Sequence, residues 1–86
     1  FYDIDPQAPI HFLVVPKQHI SGPSAVNEDN GAVIGHIYAV IAKLADELGL
    51  KDGYRVVAND GKDGGQTVGH LHFHVLAGRS LAWPPG

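Results

Sequence analysis

The chain has 86 residues and a formal net charge of −3; 44% of its residues are hydrophobic and 17% are charged. These values are typical of one small globular domain, and the negative charge argues against a large basic surface for DNA or RNA. There is no cysteine for a disulfide or a thiolate metal site, and without a signal-peptide pattern or a membrane-length apolar run we expect a cytoplasmic protein.

The first third of the chain is predicted to contain two strands and a loop. We expect Phe1–Ile4 to be the end of a strand that is closed by a turn at Asp5-Pro6. Residues 11–15 are rich in β-branched and aromatic side chains and stop at a proline, which predicts a strand over His11–Val15. Residues 17–31 are predicted to be a loop that can hold one short helical turn, in which His19 is interpreted as a solvated side chain.

A single long helix is predicted over residues 32–48. Apolar side chains recur there with the three-four spacing of an amphipathic helix. Asp29 or Asn30 is the expected N-cap, and Gly49 is the expected C-terminal stop. His36 falls between the apolar positions, so we expect it at the surface or at an interface.

The last third adds two strands, predicted over Tyr54–Asn59 and Gly69–Ala77, with the glycine-rich segment 59–67 between them. Residues 79–86 form an extended tail, because Pro84-Pro85 exclude a helix. The predicted fold class is α+β, with an antiparallel sheet and one long helix packed on one face. Such a core is thin, so we expect an upstream segment or a second subunit to complete it.

Three histidines alternate with three apolar residues in the last strand: His70, His72 and His74 with Leu71, Phe73 and Val75. Residues two apart in a strand share a face, so the histidines line one face and the apolar residues face the core. The three histidines span roughly 13 Å, too far for all of them to ligate one ion. A neighbouring pair is the most that could chelate a metal, and we predict no metal site.

Covalent chemistry on a phosphorylated substrate is the other interpretation of the histidine row. The tautomer of a middle imidazole can be fixed by one neighbour while the other contacts the substrate, and imidazole is a competent nucleophile towards phosphorus. The glycines of residues 61–67 allow backbone N–H groups to converge on phosphate oxygens, with Thr67 and Asn59 adding side-chain contacts. This glycine-rich segment is not a Walker loop, because a strand rather than a helix follows it.

The segment His70–Leu76 resembles the His-φ-His-φ-His-φ-φ signature (φ, apolar) of the histidine triad nucleotide-binding superfamily. Residues 3–21 and 63–79 are similar to that family's strand-and-loop segment and to its phosphate loop with the triad strand. The closing residues 83–86, Trp-Pro-Pro-Gly, resemble the C-terminus of the purine nucleoside phosphoramidase branch. A histidine at position 74 indicates a hydrolase, because nucleotidyltransferase relatives have glutamine there.

The resemblance implies a reaction and a role for each histidine. His72 would attack the α-phosphorus of a nucleoside 5′-phosphoramidate or related adenylate, and water would then release the monophosphate from a nucleotidyl-histidine. His74 would contact the phosphate and assist proton transfer. His70 and His11 would surround His72 and hold its orientation. No cofactor is implied.

The resemblance also implies a nucleotide site, formed by Asp3, Ile4, Asn59, Gly65, Gln66 and Thr67. Asp3 would bind the ribose hydroxyls, because a carboxylate accepts two hydrogen bonds from a vicinal diol. Ile4 would lie against a purine base. Thr67 stands where the family usually has serine, and its extra methyl group could crowd the leaving group.

At the level of the whole molecule, the resemblance implies a single domain over residues 1–86 that lacks the family's N-terminal strands and helix. It also implies a homodimer, with the helix and a strand edge at the interface and Trp83 near the partner's active site. Two other functions stay open: a nucleotide-binding regulatory protein with residual catalysis, and a dinucleoside polyphosphate hydrolase. A metal-binding module would instead purify with stoichiometric zinc.

Overall fold

The computed structural model describes all residues from 1 to 86. Its elements in chain order are the strand β1 (Ile10–Val14), a 3₁₀ turn (Pro23–Ala25), the helix α1 (Ala32–Glu47), the strand β2 (Arg55–Val57) and the strand β3 (Phe73–Ala77). The one short helical turn expected in the first loop is therefore confirmed. No helix has the length and apolar character that crossing a membrane requires.

The three strands form one antiparallel sheet in the order β1-β3-β2. In this register both Leu13 of β1 and Val57 of β2 lie opposite His74 of β3. Cross-strand partners point to the same face of a sheet, and neighbours along a strand point to opposite faces. The register therefore gives β3 one face with His74 and another with Phe73 and Val75.

Helix α1 covers the apolar face of the sheet. Its buried residues, Ile37, Ile41 and Ala45, recur every four residues, which places them on one side of the helix. Ile37 and Ile41 join residues of the sheet and its flanking segments in one core cluster, whose buried members are Phe12, Ile20, Ile37, Ile41, Leu71, Phe73 and Val75. The predicted α+β fold, an antiparallel sheet with one helix packed on it, is confirmed.

β1 has its predicted length but begins one residue earlier, at Ile10, whereas the other two strands are shorter than predicted: β3 begins at Phe73 instead of Gly69, and β2 covers only Arg55–Val57. The ladder with β1 ends where Val14 faces Phe73, and Pro16 two residues further on has no N–H to donate. Residues 69–72 precede β3 and are not paired with another strand. Their main chain is instead fixed by the N–H of Leu71, which donates to the Ile20 carbonyl at 2.6 Å.

The first residues of the chain lie along the outer edge of β1. Tyr2 forms an isolated antiparallel bridge with Phe12, the Asp3 N–H donates to the His11 carbonyl at 2.9 Å, and the Leu13 N–H donates to the Phe1 carbonyl at 2.7 Å. The predicted strand over residues 1–4 is thus reduced to one bridge. This pairing nevertheless places Asp3 beside His11.

The N-cap predicted for α1, Asp29 or Asn30, is wrong, whereas the predicted C-terminal end of the helix is off by one residue. Gly31 occupies the cap position without a side-chain hydrogen bond. The Asn30 side chain instead donates to the Ala25 carbonyl and accepts from the Asn27 N–H, which ties together the turn before the helix. At the other end the helix stops at Glu47, and Gly49 has the positive φ of 68° that favours glycine after a helix.

Candidate active site

A cavity of about 930 Å³ opens on the face of the sheet opposite α1. Most of the residues predicted for the site line it: His11, His70, His72, His74, Asp3, Ile4, Asn59, Gly65 and Thr67. Apolar side chains of Phe1, Tyr2, Leu13, Val15 and Val68 complete much of the wall. The structure thus brings together residues from both ends of the chain, while Gln66 and Trp83 lie outside the lining.

The histidine row lies on one face, as the alternation of residue types predicted. Leu71, Phe73 and Val75 are buried in the core, whereas His70, His72 and His74 are partly exposed towards the cavity. Only His74 belongs to the hydrogen-bonded part of β3. His70 and His72 lie in the unpaired segment before β3, where their main-chain carbonyls are available to side chains.

The orientation of His72 is set by the main chain of His70. The Nδ1 atom of His72 lies 2.7 Å from the His70 carbonyl oxygen. A carbonyl only accepts hydrogen bonds, so Nδ1 carries the proton and Nε2 of the neutral ring holds a free lone pair. The cavity therefore contains an imidazole whose nucleophilic nitrogen is defined by a backbone contact.

A second pair of hydrogen bonds fixes the tautomers of His11 and His74. The backbone N–H of Gln7 donates to Nδ1 of His11 at 3.0 Å, so the proton of neutral His11 resides on Nε2. That Nε2 lies 2.9 Å from Nδ1 of His74, which must then accept. The proton of neutral His74 is consequently on its Nε2. His11 contacts His74 and not His72, the neighbour that the resemblance implied.

The charge state of His74 is governed by its surroundings. Burial lowers the pKa of the His74 imidazole below its ordinary value of 6.5, and the positive charges that His72 and His11 can carry lower it further. The Asp3 carboxylate, 3.9 Å from Nδ1 of His74 and 3.5 Å from Nε2 of His11, opposes this shift. His74 is therefore held neutral to lower pH than a solvated histidine.

One partner of the His70 side chain is His19, which was expected to be solvated, and the His70 ring makes no hydrogen bond to His72 or His74. Its Nε2 donates to the Pro16 carbonyl at 3.0 Å, which leaves Nδ1 as an acceptor. Nδ1 of His19 lies 3.3 Å from it, and His19 is exposed. Since 51 residues separate the two histidines, no local spacing could have predicted this contact.

The glycine-rich loop contributes Gly65 to the cavity lining, and the side chain of Gln66 holds the loop in place. Gly65 has a φ of 76°, a conformation that favours glycine. Gln66 donates to the Ser21 and Val68 carbonyls and accepts from the Gly61 N–H, so its amide attaches the loop to the segment that contains Ser21. The resemblance had implied nucleotide contacts for this residue.

Asp60 attaches the same loop to the 3₁₀ turn. Its Oδ1 accepts from the N–H and from the hydroxyl of Ser24, each at 2.8 Å. These two hydrogen bonds lower the pKa of the Asp60 carboxyl. Sequence reasoning did not identify Asp60, and its position immediately before Gly61 was the only local signal.

Asp3 carries two separate contacts at the edge of the cavity. One carboxylate oxygen, Oδ1, accepts from the Asp5 N–H at 2.8 Å, which shapes the turn that follows. The other, Oδ2, is the oxygen that faces His11 and His74. Ile4, next to it, is fully exposed at the cavity mouth.

The donor atoms of Asp3, His11 and His74 lie within 4.8 Å of one another, the one cluster close enough to hold a metal ion. A metal-bound histidine donates its other ring N–H to an acceptor. At His11 the opposite arrangement is present, because the Gln7 N–H points at Nδ1 and leaves the proton on the nitrogen that would have to ligate. The chemistry of this cluster therefore does not fit a metal site.

The C-terminal tail carries an exposed tryptophan. Trp83 is 81% exposed. The tail before it is attached to the sheet by Arg55, whose guanidinium donates to the carbonyls of Leu81 and Ala82 at 3.3 and 3.1 Å. The position of Trp83 is thus set by β2, although its side chain extends into solvent.

Comparison with known proteins identifies similar chains over nearly the whole sequence. The HIT domain family matches residues 1–81. An uncharacterized HIT-like protein from Synechococcus elongatus is 51% identical over all 86 residues, which cover 75% of that protein. A similar uncharacterized HIT-like protein from Synechocystis is 44% identical with the same coverage.

Two solved structures have the same fold. A HIT family hydrolase from Legionella pneumophila superposes with a TM-score of 0.96 at 47% identity, over 100% of this chain and 78% of that one. A histidine triad protein from Clostridium difficile gives a TM-score of 0.92 at 46% identity, over 95% of this chain and 72% of that one. These TM-scores show that the arrangement of the strands and the helix is shared over the matched residues.

Proposed function

The chain belongs to the HIT domain family, and from this we propose that it hydrolyses the P–N bond of nucleoside 5′-phosphoramidates or related adenylates. The Legionella relative is named a hydrolase, which supports hydrolysis as the class of reaction. The observation that carries the proposal is the 2.7 Å hydrogen bond from His72 to the His70 carbonyl, because it leaves the Nε2 lone pair of His72 free in the cavity.

In the first step Nε2 of His72 forms a bond to the α-phosphorus while the P–N bond to the leaving amine breaks. The departing nitrogen takes the electron pair of that bond and needs a proton. His74 is suited to donate it from Nε2 in its protonated form, because a neutral ring that gave up its one proton would be left as an imidazolate. The Asp3 carboxylate, 3.9 Å from Nδ1, favours that protonated form, and the ring is neutral after the transfer. The products of this step are a nucleotidyl-His72 and a neutral amine.

In the second step water attacks the same phosphorus and the bond to Nε2 of His72 breaks. The electron pair returns to the imidazole, and His74, left without its Nε2 proton, accepts one from the attacking water. The nucleoside monophosphate leaves and the enzyme is restored. Both steps use the same two histidines, whose rings have centroids 5.0 Å apart.

The remaining lining residues support a nucleotide as the substrate. Free lone pairs on the Asp3 carboxylate can accept hydrogen bonds from the ribose hydroxyls, and the exposed Phe1 and Ile4 offer apolar surface to a purine base. Asn59, Gly65 and Thr67 also line the cavity, and the side chains of Asn59 and Thr67 can donate hydrogen bonds to phosphate oxygens.

We further propose that the protein acts as a homodimer, as the resemblance implies. The exposed Trp83 and the thin three-stranded sheet support this, since a second subunit would cover apolar surface that one copy exposes. In such a dimer Trp83 lies near the partner's cavity. Light scattering over a dilution series tests the assembly, and a persistent monomer would contradict it.

The decisive experiment is turnover of adenosine 5′-phosphoramidate by the wild type and by His72→Ala. We expect AMP and ammonia from the wild type, none from the variant, and an adenylated His72 detectable by mass spectrometry after rapid quenching. His36→Ala, which changes an exposed histidine outside the cavity, is the matched control.

Three results would contradict the proposal, and each would indicate a different mechanism or function. Full activity in His72→Ala, or an adduct on another histidine, removes His72 as the nucleophile. A wild type that binds AMP without turnover is a nucleotide-binding regulator. Faster hydrolysis of a dinucleoside polyphosphate than of the phosphoramidate makes the bond cleaved P–O rather than P–N.

A further inference from the structure

We propose that Arg79 is a positioning residue for the histidine cluster: it holds the main chain of Gln7, and Gln7 thereby fixes which ring nitrogen of His11 carries the proton. The consequence for catalysis rests on the proposed function, whereas the effect on the tautomer does not. Arg79 does not line the cavity, so its influence on His74 has to pass through other residues.

The first step is the contact between Arg79 and Gln7, which joins positions 72 residues apart. Both Nε and Nη2 of Arg79 donate to the same oxygen, the Gln7 carbonyl, at 3.2 and 2.9 Å. The planar guanidinium presents these two N–H groups in a fixed fork, so it restrains the position of the carbonyl more strongly than a single donor would.

The chain before Arg79 shows how the arginine reaches this position. Gly78 follows β3 with a φ of 91°, and a Cβ atom placed on it would lie 2.9 Å from Cβ of Pro9. Only glycine fits both the conformation and this approach. The close approach of Gly78 to Pro9 brings Arg79 over the turn that contains Gln7.

The second step is the contact between Gln7 and His11. The N–H of Gln7 donates to Nδ1 of His11, while the Gln7 carbonyl accepts from Arg79; the two groups flank the same Cα atom. His11 is only 4% exposed, so water has little access to replace this donor. With the carbonyl plane of Gln7 held by Arg79, only the two backbone torsions of Gln7 remain to reorient the N–H, so the arginine reduces the freedom of this donor.

The third step is the effect on His74. With the proton of His11 on Nε2, His74 accepts at Nδ1 and keeps its own proton on Nε2. If the proton of His11 moved to Nδ1, that N–H would face the N–H of Gln7, so two donors would meet. Nε2 of His11 would become an acceptor, and His74 would have to donate to it from Nδ1. The neutral His74 ring would then present an acceptor at Nε2 instead of a donor to the leaving nitrogen.

Ring-nitrogen NMR of ¹⁵N-histidine-labelled protein above the ordinary histidine pKa of 6.5 tests the proposal directly. In the wild type we expect a single His11 tautomer with the proton on Nε2. In Arg79→Ala we expect a mixture of both tautomers, with partial recovery in Arg79→Lys. Gln7→Ala keeps the main-chain N–H and should show the wild-type His11 signal.

Activity gives the second readout. Loss of a hydrogen-bonded restraint should lower kcat of Arg79→Ala by roughly 2–10-fold with KM unchanged, because the affected proton is used only in the chemical step. Lys51→Ala removes an equal charge from an exposed position and should leave kcat unchanged.

An unchanged His11 tautomer in folded Arg79→Ala would overturn the role of Arg79. Gln7→Pro, which removes the N–H itself, should abolish the single tautomer, and failure to do so in the folded variant would overturn the role of Gln7. A wild type without hydrolase activity would contradict the proposed function, and the NMR result would still decide the role of Arg79.

Discussion

His72 donates its Nδ1 proton to the backbone carbonyl of His70, at 2.7 Å, so the two histidines are connected through the main chain and not through their rings. A substitution at position 70 leaves that carbonyl in place. The His70 imidazole instead bonds to Pro16 and His19. The two histidines should therefore respond very differently to mutation.

We expect His70→Ala to retain much of the activity that His72→Ala loses. The alanine variant keeps the carbonyl and loses only the side-chain hydrogen bonds that restrain its position, which should lower kcat by about 2–10-fold. Loss of the nucleophile should cost at least about 100-fold. Steady-state kinetics on a phosphoramidate compares the two, and equal losses would show that the His70 ring takes part in the reaction itself.

His19 should affect activity only through His70. Its ring contacts Nδ1 of His70 at 3.3 Å and is otherwise exposed. We expect His19→Ala to lower kcat by no more than about 3-fold, and to have no further effect when His70 is already alanine. A double-mutant cycle measures this non-additivity, and additive losses would mean that His19 contacts the substrate independently.

The orientation of the side chains at positions 70–75 was predictable, because it depends on a local sequence pattern. Alternation of side chains across a strand placed the three histidines on one face and Leu71 and Phe73 in the core, because that period depends only on neighbouring residues. The length of β3 was overestimated, since a strand also needs a partner and Pro16 ends the ladder with β1.

The contacts that set the tautomers could not be predicted from the sequence. His19 and His70 are 51 residues apart, and Arg79 and Gln7 are 72 residues apart, so the strand register and the turn at Gly78 bring them together. Two of the decisive groups, the His70 carbonyl and the Gln7 N–H, belong to the main chain. Almost every residue has a main-chain N–H and a carbonyl, so the residue type does not indicate which of these groups bonds to a histidine.

The stability of the protein should fall on acidification, in part through His74. Its folded-state pKa is lowered by burial and neighbouring positive charge, so the unfolded chain binds a proton at that position more readily. This contribution is fully present above the ordinary pKa of 6.5 and is lost as the pH falls through the lower folded value.

The His74→Gln variant isolates that contribution. Its free energy of unfolding, measured by urea titration at several pH values, should depend less steeply on pH below 6.5 than that of the wild type. His36→Gln changes an exposed histidine on α1 and serves as the control. A steeper dependence in His74→Gln would contradict the direction of the shift.

The amide of Gln66 should stabilise the glycine-rich loop. Gln66→Ala removes three hydrogen bonds, and we expect a loss of about 1–3 kcal/mol in the free energy of unfolding. Gln66→Glu should cost more, because a carboxylate oxygen would replace the NH₂ group that donates to the Ser21 and Val68 carbonyls. Thermal or urea unfolding checks both, with exposed Gln18→Ala as control; equal stability of all three would show that the loop needs no such support.

Zinc removal should leave the activity unchanged. The only cluster that could hold an ion is Asp3, His11 and His74, and the Gln7 N–H keeps the ligating nitrogen of His11 protonated. Binding a metal there would require loss of that hydrogen bond and of the proton shared with His74. We therefore expect full turnover after dialysis against EDTA and less than stoichiometric zinc by elemental analysis of the purified protein. Tight, stoichiometric zinc that is lost in Asp3→Asn would instead show that this cluster is a metal site, and would require a different account of how His74 holds its proton.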